Sequence, residues 1–203
     1  PTAVQKNRHQ LIHALELPHA PTWLNQVHGI AVVTLDDYSG AQPEADAALT
    51  RVPNRVGTVL TADCLPLLLC DINGHEVAAV HAGWRGLLAG VIDTTLDALA
   101  TAPENIVAWL GPAIGPASFE INADIRAAYI KRDQNNEPAF QLRNESWYGD
   151  LYELARINLA RRGITRVSGG NLCTYQDNHR FYSYRRAQGP TGRMASLIWI
   201  QPQ

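Results

Sequence analysis

Apolar residues recur at intervals of three and four positions in four stretches of the chain, the spacing of helices with one buried face. The first stretch is carried by Val4, Leu11 and Leu15, and it stops before Pro18. Together the four stretches predict helices over residues 3–17, 84–100, 122–131 and 148–162.

Shorter apolar runs between turn residues predict strands. The runs at residues 57–60, 65–70 and 77–80 are apolar on both faces, which is typical of central strands covered above and below. Further strands are predicted at residues 23–27, 31–35, 106–110, 181–184 and 195–200. Because strands alternate with helices, we expect an α/β fold over residues 1–203, a layered single domain with a mixed β-sheet core and covering helices.

Composition narrows the class of protein. The 203 residues are 46% hydrophobic and 18% charged, so a globular fold is expected, and no apolar run reaches the roughly 20 residues of a membrane helix. The formal net charge is -2 with scattered Lys and Arg, which argues against nucleic acid as a partner. The cysteines form no CxxC pair, so we expect reduced thiols in a cytoplasmic protein, and the oligomeric state is left open.

The densest set of reactive side chains lies in TADCLPLLLCDINGHEVAAVHAGWRG, residues 61–86. Cys64 and His81 stand at the ends of two predicted strands, and Arg85 opens a predicted helix. His28, in the upstream segment, adds a third side chain able to bind a metal ion. A catalytic zinc site uses three such ligands and keeps one position open, so His28, Cys64 and His81 are predicted metal ligands.

The neighbours of these ligands are assigned supporting roles. Asp63 is predicted to orient a ligand histidine or to exchange protons with the substrate. Arg85 is predicted to hold an anion together with the free N–H groups of the helix start. Cys64 and His81 are predicted to act in catalysis as well as in metal binding.

Other segments fit either a site or a plain structural role. Glu44 and Asp46 could serve the site or face solvent. The loop of residues 111–116 could approach a ligand closely or form a rigid corner. Arg185 and Arg193 fit an arginine-lined substrate edge or a solvated loop.

Because the three predicted ligands form no compact local motif, the sequence is also compatible with two other kinds of site. A Cys-His hydrolase would use Cys64 as the nucleophile and His81 as the base, without His28, on a peptide-like substrate or a peptidoglycan precursor. A non-catalytic zinc-binding module would use all three ligands for stability alone.

Five motifs and the C-terminal stretch together resemble one known family. The motifs are NQVHG at 25–29, EADA at 44–47, TADCLP at 61–66, VAAVHAGWRG at 77–86 and LGPAIGP at 110–116, and residues 173–200 match as well. The chain is therefore similar to the YfiH family, also called the polyphenol oxidase or laccase-domain family. The resemblance spans nearly the whole chain.

The resemblance implies an activity and assigns residues to it. It implies a purine nucleoside enzyme that phosphorolyses adenosine, inosine or methylthioadenosine and deaminates adenosine, with the nucleoside and phosphate as its small-molecule partners. It implies zinc as the cofactor, with ligands at His28, Cys64 and His81. Within the matching motifs, the residues predicted to bind substrate are Asn25, Gln26, Arg85 and Gly115.

Two departures and one label qualify this resemblance. Relatives begin with an arm that holds an SLNLG-like strand and helps to line the pocket, so the 203-residue chain is expected to be an incomplete version. Many relatives carry cysteine where this chain has Ala117 and Ser118, so no thiol chemistry is expected there. Copper with polyphenol oxidation is the disfavoured alternative, because 7 histidines without a His-x-His pair are too few for a multicopper centre.

Overall fold

A six-stranded mixed sheet lies at the centre of the computed structural model, which describes residues 2–202. From one edge to the other its strands are β1 (Val32–Thr34), β2 (Ala47–Thr50), β5 (Val77–Ala82), β4 (Leu65–Asp71), β6 (Ile106–Leu110) and β10 (Arg166–Gly169). The four inner strands pair antiparallel, whereas each edge strand pairs parallel with its neighbour. The short turn between β4 and β5 allows only antiparallel pairing, which explains why the sheet is mixed.

The two faces of this sheet are covered by different layers. In β5, Ala78, Val80 and Ala82 belong to the larger apolar cluster, whereas Ala79 belongs to a smaller one. The larger cluster includes Leu87 and other residues of the covering helices α2 (Trp84–Ala89), α3 (Val91–Ala98), α4 (Ala123–Arg132) and α5 (Leu151–Arg161). The smaller cluster includes residues of a two-stranded ribbon formed by β3 (Gly57–Thr61) and β11 (Met194–Ile198). By strand alternation, His81 shares the ribbon side with Ala79.

The remaining elements lie around this core. A three-stranded antiparallel sheet has the order β7 (Glu120–Ile121), β9 (Ser146–Gly149) and β8 (Phe140–Arg143). Helix α1 (Thr2–Ala14) is exposed along its length and touches the body where Arg8 stacks 4.2 Å above the ring of Trp23. Helix α6 (Tyr184–Ala187) precedes β11. None of the helices in residues 2–202 is long and apolar enough to cross a membrane.

The helix predicted over residues 84–100 is wrong in one respect, because it is broken at Gly90. Gly90 has φ 106°, a left-handed conformation that favours glycine, and it separates α2 from α3. A Cβ atom at this position would lie 2.8 Å from the guanidinium group of Arg132. The hydrophobic spacing continues across the break, which is why the periodicity indicated one helix.

Three further predictions differ from the structure because side-chain caps and loops decide the local conformation. Helix α5 begins at Leu151 rather than near residue 148, since the carboxylate of Asp150 caps its first turn. The segment 181–184 is not a strand, and Ser183 caps α6 in the same way. The segment 23–27 is not a strand either, and Asn25 alone forms a single-residue bridge, to Glu44. The predicted α/β class with a mixed sheet and covering helices is confirmed.

Candidate metal site and pocket

Three side chains from distant parts of the chain meet at one point. The metal-binding atoms of His28, Cys64 and His81 all lie within 4.8 Å of one another. The Cys64 sulfur lies 3.8 Å from Nε2 of His28, and the two imidazole rings meet edge to face with centroids 4.8 Å apart. Two imidazoles and one thiol therefore converge as the sequence predicts, at distances that one ion could bridge.

The sheet brings two of these residues together directly. Cys64 immediately precedes β4, and His81 lies near the end of β5. The antiparallel register pairs Pro66 with His81, so the start of β4 lies beside the end of β5. His28 comes from the loop before β1, where its backbone adopts φ 62°.

Asp46 holds both histidines in place. Its side chain is completely buried, and its Oδ1 atom lies 2.7 Å from Nδ1 of His81. The same carboxylate accepts hydrogen bonds from the backbone N–H groups of Val27, His28 and Gly29. Because Nδ1 of His81 is engaged by Asp46, Nε2 is left for a metal ion, an arrangement common among metal-binding histidines.

The charges of these groups favour the thiolate form of Cys64. Burial alone would raise the pKa of Cys64, but hydrogen bonds and charge from His28 and His81 outweigh it and lower the pKa to about 6. Burial would lower the pKa of His81, yet its bonds to Asp46 and Cys64 raise that pKa to about 9. The pKa of Asp46 is lowered by His81 and backbone N–H groups against the effect of burial. A thiolate beside two imidazoles is a donor set suited to zinc.

Alkylation of the metal-free protein should reveal this thiolate. The rate of carbamidomethylation at Cys64 should rise through a midpoint near pH 6, because the thiolate is the reactive form and predominates above the pKa of about 6. Cys70 is the internal control, since burial raises the pKa of its thiol and its reaction should set in at a clearly higher pH than that of Cys64. Peptide mapping by mass spectrometry at each pH measures both rates. Equal midpoints at Cys64 and Cys70 would contradict this account.

Gly83 leaves room for the ligands. A Cβ atom at this position would lie 2.9 Å from the Cys64 sulfur and 3.2 Å from Cδ2 of His28. Gly83→Ala should therefore displace both ligands and weaken metal binding by at least about tenfold, comparable to the loss of a group that orients a ligand. Gly57→Ala is the matched control, because its Cβ atom would meet neighbours at ordinary contact distances of 3.7 Å and more. Competition with a zinc-sensitive dye measures both affinities, and equal affinities would refute the steric argument.

The three candidate ligands line a pocket of about 580 Å³. Its apolar and aromatic walls are formed by Leu24, Leu60, Trp84, Ile114, Phe119, Leu151 and Tyr184. Its polar wall includes Asp63, Arg85, Arg185 and Arg193. A pocket of this volume, with apolar and aromatic residues beside several polar groups, has the size and lining of a small-molecule site.

The residues predicted to bind substrate are placed differently from one another. Gln26 lines the pocket, but its amide donates to the carbonyl oxygen of Leu60 and accepts from its N–H group, both at 2.8 Å. Asn25 is exposed outside the pocket lining. Gly115 packs on Cys173, and its neighbour Ile114 faces the pocket instead.

Arg85 lines the pocket, yet the helix that it was predicted to open is short. Its guanidinium group stacks 4.4 Å from the ring centroid of Trp84. Because α2 spans only six residues, its dipole is weaker than the predicted longer helix would provide. Any attraction for an anion therefore depends on the arginine side chain more than on the helix start.

Asp63 does not orient a ligand histidine, which corrects the sequence-based prediction. Its carboxylate accepts hydrogen bonds from the hydroxyl of Thr174 at 2.6 Å, the hydroxyl of Ser183 at 3.0 Å and the backbone N–H of Arg185 at 2.7 Å. The physical reason is that both carboxylate oxygens are engaged by these donors of the C-terminal segment and none by a histidine of the described chain; the backbone of Asp63 has φ 86°. Asp63 thus anchors the wall of the pocket that carries Arg185, and Asp46 is the residue that orients His81.

Sequence reasoning left several of these residues undecided or missed them. Asp46 was left between a site role and a solvent-facing one, although a carboxylate flanked by alanines just before a buried strand is a usable signal. No sequence signal indicated that Thr174 and Ser183 bind Asp63, because Asp63 lies 111 and 120 positions away from them.

Fold and site together define a class: a mixed α/β protein with a His–Cys–His group, suited to one metal ion, at a small-molecule pocket. Residues 1–201 match the family described as multi-copper polyphenol oxidoreductase laccase, and the chain belongs to that family. Its relatives include YfiH proteins, so the resemblance seen in the motifs is confirmed.

Relatives match along nearly the whole chain. A purine nucleoside phosphorylase YfiH of Shigella flexneri is 49% identical over 200 residues, which are 98% of this chain and 82% of that protein. A protein of the same name from Escherichia coli K12 is 48% identical with the same coverage. The crystal structure of a Neisseria meningitidis DUF152 protein superimposes with a TM-score of 0.94 at 42% identity, covering 100% of this chain and 83% of that one.

Proposed function

We propose that this protein is a zinc-dependent purine nucleoside enzyme. It would phosphorolyse adenosine, inosine or methylthioadenosine to the free base and the (methylthio)ribose 1-phosphate, and it would deaminate adenosine to inosine. The observation that carries the proposal is the meeting of His28, Cys64 and His81 at a pocket of nucleoside size. The name purine nucleoside phosphorylase, borne by relatives 48–49% identical, supports the same substrate class.

In phosphorolysis, an oxygen of phosphate forms a bond to the anomeric carbon as the bond from that carbon to the purine nitrogen breaks, and the proton that the phosphate loses passes to the departing base. In deamination, water adds at the six-position of adenine and ammonia leaves. When bound, zinc supplies a Lewis acid that stabilises negative charge and acidifies water. His28, Cys64 and His81 would hold the ion, and Asp46 keeps His81 oriented toward it.

The remaining walls supply binding and orientation. Trp84, Phe119 and Tyr184 offer aromatic surface for a purine base. Arg85 offers a positive charge to an anionic group. The apolar residues of the lining would displace water from the faces of a bound base, which strengthens the polar interactions made beside it.

Turnover with defined substrates tests the proposal. Zinc-reconstituted protein, incubated with adenosine and phosphate, should yield adenine, ribose 1-phosphate and inosine, separated by chromatography. Omission of phosphate should abolish adenine and leave inosine. Absence of all three products from protein shown to carry one zinc per chain would overturn the proposal.

A Cys-His hydrolase is the second candidate, and one observation favours it. Cys64, His81 and Asp46 form a sequence of thiol, imidazole and carboxylate, and the lowered pKa of Cys64 is typical of a nucleophilic cysteine. Its substrate would be a peptide-like amide or a peptidoglycan precursor. Chelation separates the candidates, because a hydrolase of this kind keeps its activity after removal of metal and the zinc enzyme loses it.

Elemental analysis decides between zinc and copper and tests the non-catalytic alternative. Within residues 2–202 the structure holds one group of three such ligands, which suits a single ion rather than a multicopper centre. We therefore expect one zinc per chain and no stoichiometric copper. Stoichiometric zinc without turnover on nucleosides or amides would favour a binding module.

A further inference from the structure

Helix α1 carries two exposed histidines that lie one turn apart. His9 and His13 are separated by four positions within the helix Thr2–Ala14, and both residues are exposed. Side chains at positions i and i+4 of an α-helix lie on the same face, with Cβ atoms about 5–6 Å apart. Two imidazoles at this spacing can bind one metal ion, as the two histidines of an HExxH helix do with zinc.

The imidazoles of His9 and His13 have no protein partner in the part of the chain that the structure describes. Within residues 2–202, the histidine side chains that hydrogen-bond or pair with a carboxylate are His28, His75 and His81. Leu11 and Ile12 of the same helix are half-buried, so α1 contacts the body on their face. The two exposed histidines lie on a different face, and their ring nitrogens are available to an ion from solvent.

The ligand count and the neighbouring charges indicate which ion the pair suits. Within residues 2–202, the group of three side chains close enough to share an ion is the one at the pocket, so α1 supplies two nitrogen ligands and water completes the coordination. Imidazole nitrogen suits Ni²⁺, Cu²⁺ and Zn²⁺, whereas Ca²⁺ and Mg²⁺ prefer oxygen ligands. Lys6 lies three positions before His9, and Glu16 lies three positions after His13. Their opposite charges largely offset each other at the pair.

An ion bound by this pair would stabilise the helix. None of the 13 residues of α1 is buried, and a helix of this length is only marginally stable in water without tertiary contacts. It is attached to the body through the stacking of Arg8 on Trp23 and through the buried Leu17 just beyond its end. Because the helical conformation holds the two imidazoles at bridging distance, binding of an ion shifts the local equilibrium towards the helix.

We propose that His9 and His13 form a second metal site, a surface chelate for a divalent transition-metal ion such as Ni²⁺, Cu²⁺ or Zn²⁺, which stabilises helix α1. The site lies outside the pocket lining and is independent of the proposed function. With two protein ligands rather than three, it binds more weakly than the group of His28, Cys64 and His81. It therefore fills when metal is added and empties on gel filtration, and the zinc ion retained in the pocket is unaffected.

Nickel titration tests the chelate. Ni²⁺ is titrated by calorimetry into the zinc-reconstituted protein without an affinity tag, and elemental analysis confirms that the pocket keeps its zinc. We expect one Ni²⁺ per chain. His9→Gln and His13→Gln should each weaken binding by at least about tenfold, because the helix no longer holds a second imidazole at the ion. His179→Gln removes an exposed histidine elsewhere and should leave the affinity unchanged.

The spacing of the pair is tested in the His13→Gln background. Addition of Gln5→His restores a pair four positions apart, one turn earlier on the helix, and should restore most of the lost affinity. Addition of Ala14→His restores the number of histidines, but the pair is then five positions apart and separated by about 140° around the helix axis. Nickel affinity should stay low in that variant. Both added positions are exposed, so neither change disturbs the core.

Hydrogen exchange measures the stabilisation of α1. At a nickel concentration about ten times the dissociation constant, helix opening that releases the ion becomes about tenfold less frequent, so the amides of residues 9–14 should exchange about tenfold more slowly. The variant that combines His9→Gln with His13→Gln should show no slowing. Peptide-resolved mass spectrometry measures the exchange with and without nickel.

The outcomes separate the chelate from its effect on the helix. Nickel affinity that requires both histidines and follows the four-residue spacing supports the chelate. If the zinc-reconstituted protein binds no Ni²⁺, or if His179→Gln weakens binding as much as His9→Gln, the chelate is refuted. Binding that requires both histidines but leaves the exchange of α1 unchanged would refute the stabilisation and leave the metal site in place. Absence of nucleoside turnover would count against the proposed function alone.

Discussion

Cys64→Ser is expected to abolish stoichiometric metal binding and reduce nucleoside turnover to background. Cys64 supplies the thiolate of the donor set, and serine at this position would be a neutral hydroxyl that binds zinc poorly. Loss of a group that only orients a ligand weakens metal binding by about 10- to 100-fold, so loss of a direct ligand should exceed about a hundredfold. Elemental analysis after gel filtration and a dye-competition titration measure the two quantities.

The matched control for this experiment is Cys70→Ser. Cys70 lies near the other end of the same strand, where its thiol donates to the carbonyl oxygen of Asp71 at 3.0 Å. This variant should keep one metal ion per chain and normal turnover. Circular dichroism should show both variants folded, and full zinc occupancy in Cys64→Ser would exclude Cys64 as a ligand.

Asp46→Asn should impair metal binding and stability together. An amide cannot replace the charged acceptor that Nδ1 of His81 and the backbone of residues 27–29 share, and its N–H₂ group would face other donors. We expect metal affinity to fall about 10- to 100-fold. The free energy of unfolding should fall by about 3 kcal/mol, as when one partner of a buried charged pair is removed.

Asp71→Asn separates the effect on metal binding from the effect on stability. Asp71 is also buried, at 7% exposure, and its carboxylate also accepts backbone hydrogen bonds, from Asn73 and His75, but it is the last residue of β4, at the end of the strand away from Cys64. This variant should lose stability on urea denaturation and bind zinc with the affinity of the parent protein. An unchanged zinc affinity in Asp46→Asn, with the same loss of stability, would reduce Asp46 to a purely structural residue.

The central sheet, and the proximity of two of the candidate ligands within it, could be predicted from local sequence patterns. Strands β4 and β5 are largely apolar runs, and a sheet covered on both faces buries them. The run at residues 57–60 was also predicted to be a central strand, but β3 lies in the ribbon over one face of the sheet instead. The short turn joining β4 and β5 then brings residues at the outer ends of both strands together. The proximity of Cys64 and His81 could therefore be predicted from spacing.

The position of His28 and the C-terminal wall could not be predicted in this way. His28 reaches the other ligands because Asp46 binds the backbone of its loop, and neither periodicity nor propensity encodes that contact. Residue types alone made His28 a candidate third ligand and left the choice between a metal site and a Cys-His pair open, and the motif resemblance favoured the metal site. The break at Gly90 was not predicted, because the apolar residues before and after it keep the same helical spacing.

The hydrogen bonds of Asp63 have a consequence for how the chain matures. They join residue 63 to partners 111 to 122 positions further on, and a loop of that length closes at a considerable cost in entropy. Since synthesis runs from the N terminus, His28, Cys64 and His81 leave the ribosome long before the segment that holds Arg185. A nascent or clipped chain that lacks residues 174–193 would therefore present these three side chains without the pocket wall that Asp63 anchors.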